Sequence, residues 1–537
     1  MRGSVRSGLV DARGLAKVVA ESLAAAGSRV VFGIPGGGNN LELIGAAEDA
    51  GMRFVLGHTE AAAAYMASVH GELTGTSTAC LATRGPGAAN AVNGVAQAWL
   101  DRQPLVMLTD AVSAADTPRI GHQRIDQPAT FAPITKWSGA VGAAGAGDVM
   151  KRLVALTLAG RPGPVHVDLD PGAGTASAVP EGASVRSGDL GAVAEAVRRA
   201  RRPVVLVGLG ARDAAGAVRE LVRGTNVPVL PTYKAAGVVP SSGPNAAGLL
   251  TGATVEAPVL EAADLILAVG LDTVELIPAP WRYEAPVVTL APWPEESPYF
   301  TPAHEVVGPL AELLQDLPRL NDDWEPGYAA AQRAACVERL VAGPPAREGL
   351  APWEVVAAVR DVAPAGSVAT VDSGAHMLAA MPQWAAEEPG ELLISSGLAT
   401  MGFALPAAIA AGLARPDRRT FCFTGDGGLG MVLAELETLA RLNLPVTVVV
   451  FNDSALSLIK VKQRPTGHGG APAIAYRPVD YAALAAAHGL TSSVVGTVPA
   501  LTEAATAALK TSGPTLIDAR VDPAGYPHIL DVIRGVR

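Results

Sequence analysis

Short, unbroken apolar runs alternate along the chain with longer Ala- and Leu-rich stretches of helical character. In the first third the runs are RVVFGI, RFVLG, TACLAT, PLVMLTD and PVHVDL. The middle third has PVVLVG, VPVLPT, LILAVG and PVVTL, and the last third VATVD, LLISS, TFCFTG, PVTVVVFN, SSVVG and TLIDARV. Apolar strands without polar alternation, set between helices, are the pattern of parallel sheets covered on both faces. The chain is therefore predicted to be α/β, built from doubly wound parallel sheets. Two Pro- and Gly-rich stretches of small residues, 170–188 and 342–354, read as linkers. They cut the chain into three units, residues 10–170, 189–340 and 350–537. No short-period repeat points to a solenoid.

Composition narrows the class. A length of 537 residues is a prior for three to four domains. With 41 Lys and Arg against 51 Asp and Glu, the net charge is −10, and no basic run offers a footprint for nucleic acid or an anionic membrane surface. A hydrophobic share of 49% with 17% charged residues excludes a disordered chain. Much of that share is Ala, and no charge-free run of bulky apolar residues is long enough to span a bilayer. The start, MRGSVRSGLVDARG, has arginines but no apolar run behind them, so no secretory leader is expected. Cys80, Cys336 and Cys422 lie far apart without metal-ligand spacing, and two fall in predicted buried strands. A cytoplasmic protein without disulfides or a zinc site is the expectation.

One segment carries most of the chemistry. TFCFTGDGGLGMVLAELETLARLNLPVTVVVFNDS reads as strand, Gly-rich turn, helix and strand with a polar end. Asp426 leaves the first strand and Asn452 ends the second, so both fall at the carboxyl edge of a parallel sheet, where such sheets bind ligands. An acid and an amide meeting there suit a hard cation such as Mg²⁺, whose remaining ligands are phosphate and water. Gly425, Gly427 and Gly428 allow close approach of backbone to an anion. Alone, each element also fits an ordinary loop. The full package, GDG followed after a helix and a strand by Asn, resembles the signature of the thiamine-diphosphate (ThDP) enzyme superfamily.

Further blocks extend the resemblance over nearly the whole chain. FGIPGGGNN, GHTEAAAAYMA and ATRGPGAANAVNGVAQAW occur in the family's order. Glu60, at the start of an Ala-rich helix, is in isolation an acid favoured by the helix dipole. The resemblance implies instead that it hydrogen-bonds N1′ of the cofactor aminopyrimidine and promotes the imino tautomer whose 4′-nitrogen takes the thiazolium C2 proton. Pro35, Thr83 and Asn90 then surround the pyrimidine. In SSGLATMGFALPAAIAAGLARPD, Met401 matches the apolar residue that props the cofactor in a bent shape; its bland alternative is a core methionine. Gly374, Ala375 and His376 of VDSGAHM match a diphosphate-contacting turn. The metal ligands implied are Asp426, Asn452 and the main-chain carbonyl of Ser454.

Within the superfamily the chain is most similar to the acetolactate-synthase-like group. NDSALSLIKVKQ resembles the FAD-free catabolic enzymes, and GHQRIDQPATFAPITKW carries their His-Gln pair, His122 and Gln123. By resemblance, Gln123 binds an oxyanion and His122 shuttles a proton; a loop histidine without a role is the alternative. The pair of adjacent histidines typical of pyruvate decarboxylases is absent. VVLVGLGARDAAG has Gly208 and Gly210, but Asp213 replaces the third glycine of a dinucleotide fingerprint, so a tight strand-to-helix turn is the reading. Leu271 and Asp272 replace a Gly-x-Arg-Phe element that helps hold FAD, so no FAD is expected.

Ile34, Arg84, Ala455 and Leu456 depart from the family pattern around the substrate. The stretch after Gln463 reads as a longer loop over the site, and Lys460, Lys462 and Arg464 as anion-holding residues or simply a solvated face. The resemblance implies a ThDP- and Mg²⁺-dependent decarboxylase and carboligase acting on a 2-oxo acid and a carbonyl acceptor, assembled as a homodimer or homotetramer. Two other readings fit the same motifs: a ThDP lyase or acyltransferase with phosphate, a sugar phosphate or an amine as acceptor, and a cofactor-binding subunit without catalysis.

Overall fold

The computed structural model describes residues 2–113, 116–174, 176–182, 185–276, 280–295, 299–463 and 473–535, with side chains from Ala12 onward. The described strands form three sheets, and every strand pairing within them is parallel.

The first sheet contains β1 (Val30–Ile34), β2 (Arg53–Leu56), β3 (Thr78–Ala82), β4 (Leu105–Asp110), β5 (Ser138–Val141) and β6 (Pro164–Leu169), ordered β2-β1-β3-β4-β6-β5. The second contains β7 (Pro203–Val207), β8 (Val229–Pro231), β9 (Leu265–Val269), β10 (Val287–Ala291) and β11 (His304–Val307), ordered β11-β10-β9-β7-β8. The third contains β12 (Val368–Val371), β13 (Leu392–Ile394), β14 (Thr420–Gly425), β15 (Val446–Asn452), β16 (Thr491–Val495) and β17 (Thr515–Arg520), ordered β13-β12-β14-β15-β17-β16. Numbered within each sheet, the first and third share one strand order, 2-1-3-4-6-5.

Each sheet has a topological switch point, where the chain leaves a strand for one side and then returns to the other. These lie between β1 and β3, between β7 and β9, and between β12 and β14. Loops at the carboxyl ends of such strand pairs diverge and leave a crevice. The three crevices are bounded by residues that follow Ile34 and Ala82, Val207 and Val269, and Val371 and Gly425.

The apolar runs form the buried strands expected of them; β3, β4, β6, β7, β9, β10 and β15 are buried throughout. Sequence reading missed β5 and β11. Both are edge strands, half-buried or half-exposed, and SGAV and HEVV lack a continuous apolar signal. The GDG segment also differs from expectation. Its Gly-rich stretch is itself a short helix, Asp426–Met431, followed by a second helix, Glu435–Leu442. With no side chain at Gly427 or Gly428, the helix begins directly at the end of β14.

Each sheet has its own apolar core, around Val106 and Val165, around Val205 and Leu267, and around Phe421 and Phe423. Helices pack closely where side chains are small: a Cβ on Gly94 of helix Pro86–Leu100 would lie 2.4 Å from the Ala64 Cβ of helix Glu60–Thr74. The chain packs as two units. One is Met1–Ala183 with Ile409–Arg415 and Val432–Leu442; the other is Ser184–Ala408 with Pro416–Met431 and Asn443–Arg537. Among the described residues no helix is long and apolar enough to cross a membrane.

Candidate active site

At the switch point of the first sheet, four chain segments converge. Pro35 and Gly36 follow β1, Thr83 follows β3, and helices Glu60–Thr74 and Pro86–Leu100 begin beside them. Gly36 fits only without a side chain: a Cβ there would lie 2.3 Å from Thr83 Oγ1. Its backbone N–H donates to Asn40 Oδ1 at 2.8 Å. Glu60 is buried, and its Oε2 accepts from Asn90 Nδ2 at 3.2 Å. Its Oε1 faces the bare backbone of Gly87, 3.1 Å from the place of a Cβ. The predicted pyrimidine-side residues Glu60, Thr83, Asn90 and Pro35 are thus gathered around one crevice.

Thr59 caps the Glu60 helix by accepting from Ala62 N–H. The approach to that cap is held by Glu435, which sequence reading did not single out. Its buried carboxylate accepts from His58 N at 2.8 Å and Thr59 N at 3.1 Å through Oε1, and from Thr438 Oγ1 at 2.8 Å through Oε2. Arg441 of the same helix donates to Leu56 O, and Glu437 pairs with His58.

The His122–Gln123 loop meets the turn after β3. Gln123 has φ 56°, a left-handed conformation uncommon for a side-chain-bearing residue. Its carbonyl oxygen would lie 2.4 Å from a Cβ on Gly85, so loop and turn interlock through bare backbone. Both His122 and Gln123 side chains are exposed. Buried Gln127, unassigned by the sequence, fastens this contact. Its Oε1 accepts from Gly85 N at 2.8 Å, while Nε2 donates to Asp110 O and Asp168 Oδ1. Arg84 lies 3.8 Å from Asp110, whose carboxyl is raised by burial against the opposing effects of Asn39 and Arg84.

In the second unit, the crevice between β12 and β14 is organised by another unpredicted residue, Asp372. It is fully buried and accepts from Ser373 N, Phe403 N, Gly402 N and Thr424 Oγ1 at 3.0–3.2 Å. Burial pushes its carboxyl up to about 6 against those donors. A Cβ on Gly428 would strike Asp372 Oδ2 at 2.2 Å. One carboxylate therefore ties together the VDSGAHM turn, the segment bearing Met401 and the GDG motif. His376 lies over Gly374 and Gly425, its ring carbon Cε1 2.7 Å and 3.3 Å from their missing Cβ positions. Burial lowers its pKa to about 4, so the ring is neutral, and Nε2 is buried without a partner among the described residues. Ala375 is buried between Gly374 and His376. Met401 Cε lies 3.4 Å from the Cβ place of Gly427, alongside Leu456 and Tyr476.

Asp426 is buried, with Oδ1 accepting from Gly427 N at 2.6 Å and Oδ2 lacking any partner among the described residues. Burial raises its pKa. Asn452 uses its amide nitrogen on Val479 O at 3.2 Å and Asp518 Oδ1 at 2.9 Å, which leaves its oxygen as the atom for a cation. Ser454 has φ 57°, and its carbonyl accepts from Tyr476 N at 2.8 Å, leaving one lone pair. Tyr481 donates to the Asp426 carbonyl. A carboxylate oxygen, an amide oxygen and a carbonyl are a hard, all-oxygen donor set, and the orphaned Oδ2 fits a Mg²⁺ ligand. Lys460 and Lys462 are exposed, as a solvated face requires. Arg464 and the loop stretch ending at Pro472 lie outside the described residues.

The chain matches three family models in succession. Residues 13–130 match the family "Thiamine pyrophosphate enzyme, N-terminal TPP binding domain", residues 190–317 the central domain, and residues 372–519 the C-terminal TPP binding domain. The chain is 29% identical to the catabolic acetolactate synthase of Raoultella terrigena, over 96% of each chain. It is 31% identical to the acetolactate synthase isozyme 2 large subunit of Escherichia coli K12, over 84% of each. Its fold is shared with the thiamine diphosphate-dependent 4-hydroxybenzoylformate decarboxylase of Rhodococcus jostii RHA1, with TM-score 0.77, 24% identity, and coverage of 95% of this chain and 99% of that one. The chain therefore belongs to the thiamine-diphosphate-dependent enzymes of the acetolactate-synthase-like group.

Proposed function

We propose that this enzyme uses ThDP and Mg²⁺ to decarboxylate a pyruvate-like 2-oxo acid and join the remaining carbanion to a second carbonyl. Residues 10–170 would bind the pyrimidine, 189–340 form the central domain, and 350–537 bind the diphosphate and metal. The observation that carries the reading is Asp426, a buried carboxylate with one oxygen left unpaired. Leaving such an atom unmatched costs about 1–3 kcal/mol or more, and Asp426 Oδ2 would be relieved of that cost as a Mg²⁺ ligand.

ThDP, when bound, supplies the nucleophilic carbon and the electron sink for loss of CO₂. The chain supplies placement and proton handling. Glu60 presents Oε1 to the pyrimidine, since Oε2 accepts from Asn90. Pro35 and Thr83 wall the pyrimidine, and Met401 supports the ring from its place near Gly427. Gly374, Ala375, His376, Gly425, Gly427 and Gly428 receive the diphosphate, with the His376 ring lying over Gly374 and Gly425. Asp426 Oδ2, the Asn452 amide oxygen and the Ser454 carbonyl hold Mg²⁺. Gln123 donates to the developing oxyanion and His122 moves the acceptor proton. The working unit is a homodimer or a dimer of dimers, and FAD takes no part.

The test is purified protein with ThDP, Mg²⁺ and a panel of 2-oxo acids, followed by CO₂ release. Glu60→Gln should retain ThDP while CO₂ release falls by about 100-fold or more. CO₂ release without a new carbon–carbon bond would favour phosphate or an amine as acceptor, and a bond formed only to an added sugar phosphate would favour that acceptor. No turnover with any acid by ThDP-loaded protein would favour a non-catalytic subunit.

A further inference from the structure

The first and third sheets place their candidate cofactor residues at their switch points; the second sheet has a switch point of the same kind, between β7 and β9. Gly208 and Gly210 follow β7, and Gly270 follows β9. In doubly wound sheets this crevice is where a nucleotide phosphate is received by backbone N–H groups. Here those groups already have an acceptor. Glu275 Oε2 accepts from Leu209 N at 2.9 Å and from Asp272 N at 3.3 Å, and Oε1 accepts from Thr232 Oγ1. The carboxylate thus joins the carboxyl ends of β7, β8 and β9. A Cβ on Gly208 would lie 2.6 Å from Glu275 Oε2, so the close approach that glycine permits in this turn is made to a side chain of the same protein.

We propose that Glu275 is a resident carboxylate in the phosphate place of the central domain, closing from within a crevice of nucleotide-binding architecture. A neighbouring cavity of about 20 Å³ is lined, among the described residues, by Leu271, Leu276, Tyr299 and Phe300 together with the acidic Glu295 and Glu305. That is room for about one water molecule, far below the several hundred Å³ of a small-ligand site. Burial raises the Glu275 carboxyl to about 7 despite its three donors. Asp272 and Arg212 are the charged groups that act on it, and Arg212 also interacts with Asp213. The expectation that FAD is not used thereby acquires a physical cause, and it does not depend on the reading of the ThDP site.

The proposal predicts that removing the carboxylate opens an anion site. Holoenzyme saturated with ThDP and Mg²⁺, so that the diphosphate site is filled, is melted at pH 8 with acetate, inorganic phosphate or chloride at equal ionic strength. Glu275→Ala should melt lower than the parent and recover several degrees with acetate or phosphate but not chloride. The parent and Glu275→Gln, which fill the place themselves, should show no such recovery. Equal stabilisation of parent and Glu275→Ala, or none in Glu275→Ala, overturns the proposal. Equilibrium dialysis of the parent holoenzyme against ADP and FAD tests it even if Glu275→Ala does not fold. Retention of either overturns it, and absence of both supports it.

Discussion

Glu435 Oε1 lies 2.8 Å from the backbone nitrogen of His58, across 377 positions of sequence. The bond fixes the two residues that precede Glu60, and Glu60 begins its helix only after that approach is set. Glu435→Ala leaves two backbone N–H groups without their acceptor, at about 1–3 kcal/mol each. Its kcat should fall about tenfold or more, with little change in Mg²⁺ requirement. Glu435→Gln keeps one acceptor oxygen and should recover most of the rate. Steady-state CO₂ release for both variants, with ThDP binding followed by tryptophan quenching, separates positioning from loss of the fold.

Asp426 should govern the metal. Replacing it with Ala removes both the orphaned Oδ2 and the contact to Gly427 N. ThDP retention on gel filtration should become weak, and the Mg²⁺ concentration for half-maximal activity should rise at least tenfold. Prolonged EDTA treatment of the parent should mimic the variant, and added Mg²⁺ should restore the parent alone.

Asp372 is predicted to matter for stability and catalysis together. Asp372→Ala removes the shared acceptor of three backbone N–H groups and the Thr424 hydroxyl in a buried place. A loss of about 3 kcal/mol or more is expected. Asp372→Asn retains an acceptor oxygen and should lose less. Thermal melting with and without ThDP and Mg²⁺ measures both.

The pH dependence has a definite sign at Glu275. Its carboxyl titrates near the ordinary 4.5 when unfolded and at about 7 when folded. The folded state therefore holds the proton more tightly, so the contribution to stability is full below pH 4.5 and is lost as pH rises through 7. Asp272 adds to the upward shift, and the hydrogen bonds from Thr232, Leu209 and Asp272 oppose it. Glu275→Gln lacks this titration and can donate to Thr232. Its stability relative to the parent should improve between pH 5 and pH 8, by up to about 3 kcal/mol, as read from chemical unfolding at each pH.

The α/β class, and where most strands fall, were legible in the apolar runs, because strands buried on both faces need continuous apolar sequence. β5 and β11 escaped because edge strands bury little. Asp426 and Asn452 were legible because each stands at the end of a strand, whereas Glu60, alone an ordinary first-turn acid, was legible only through the resemblance of the motifs around it. Asp372, Gln127 and Glu435 were not. Their partners are backbone N–H groups remote in sequence, such as Gly402, Gly85 and His58, and any polar residue looks alike until the fold brings those donors to it. The common strand order of the first and third sheets was invisible for a related reason: topology constrains burial, which many sequences satisfy.

The central claim is carbon–carbon bond formation coupled to decarboxylation. The most direct measurement is simultaneous quantification of CO₂ and acetolactate from pyruvate by the ThDP- and Mg²⁺-loaded enzyme, with Glu60→Gln as control. The account predicts CO₂ and acetolactate in equal amounts from the parent and neither from the control. CO₂ accompanied only by acetaldehyde, or pyruvate left intact by fully loaded enzyme, would contradict it.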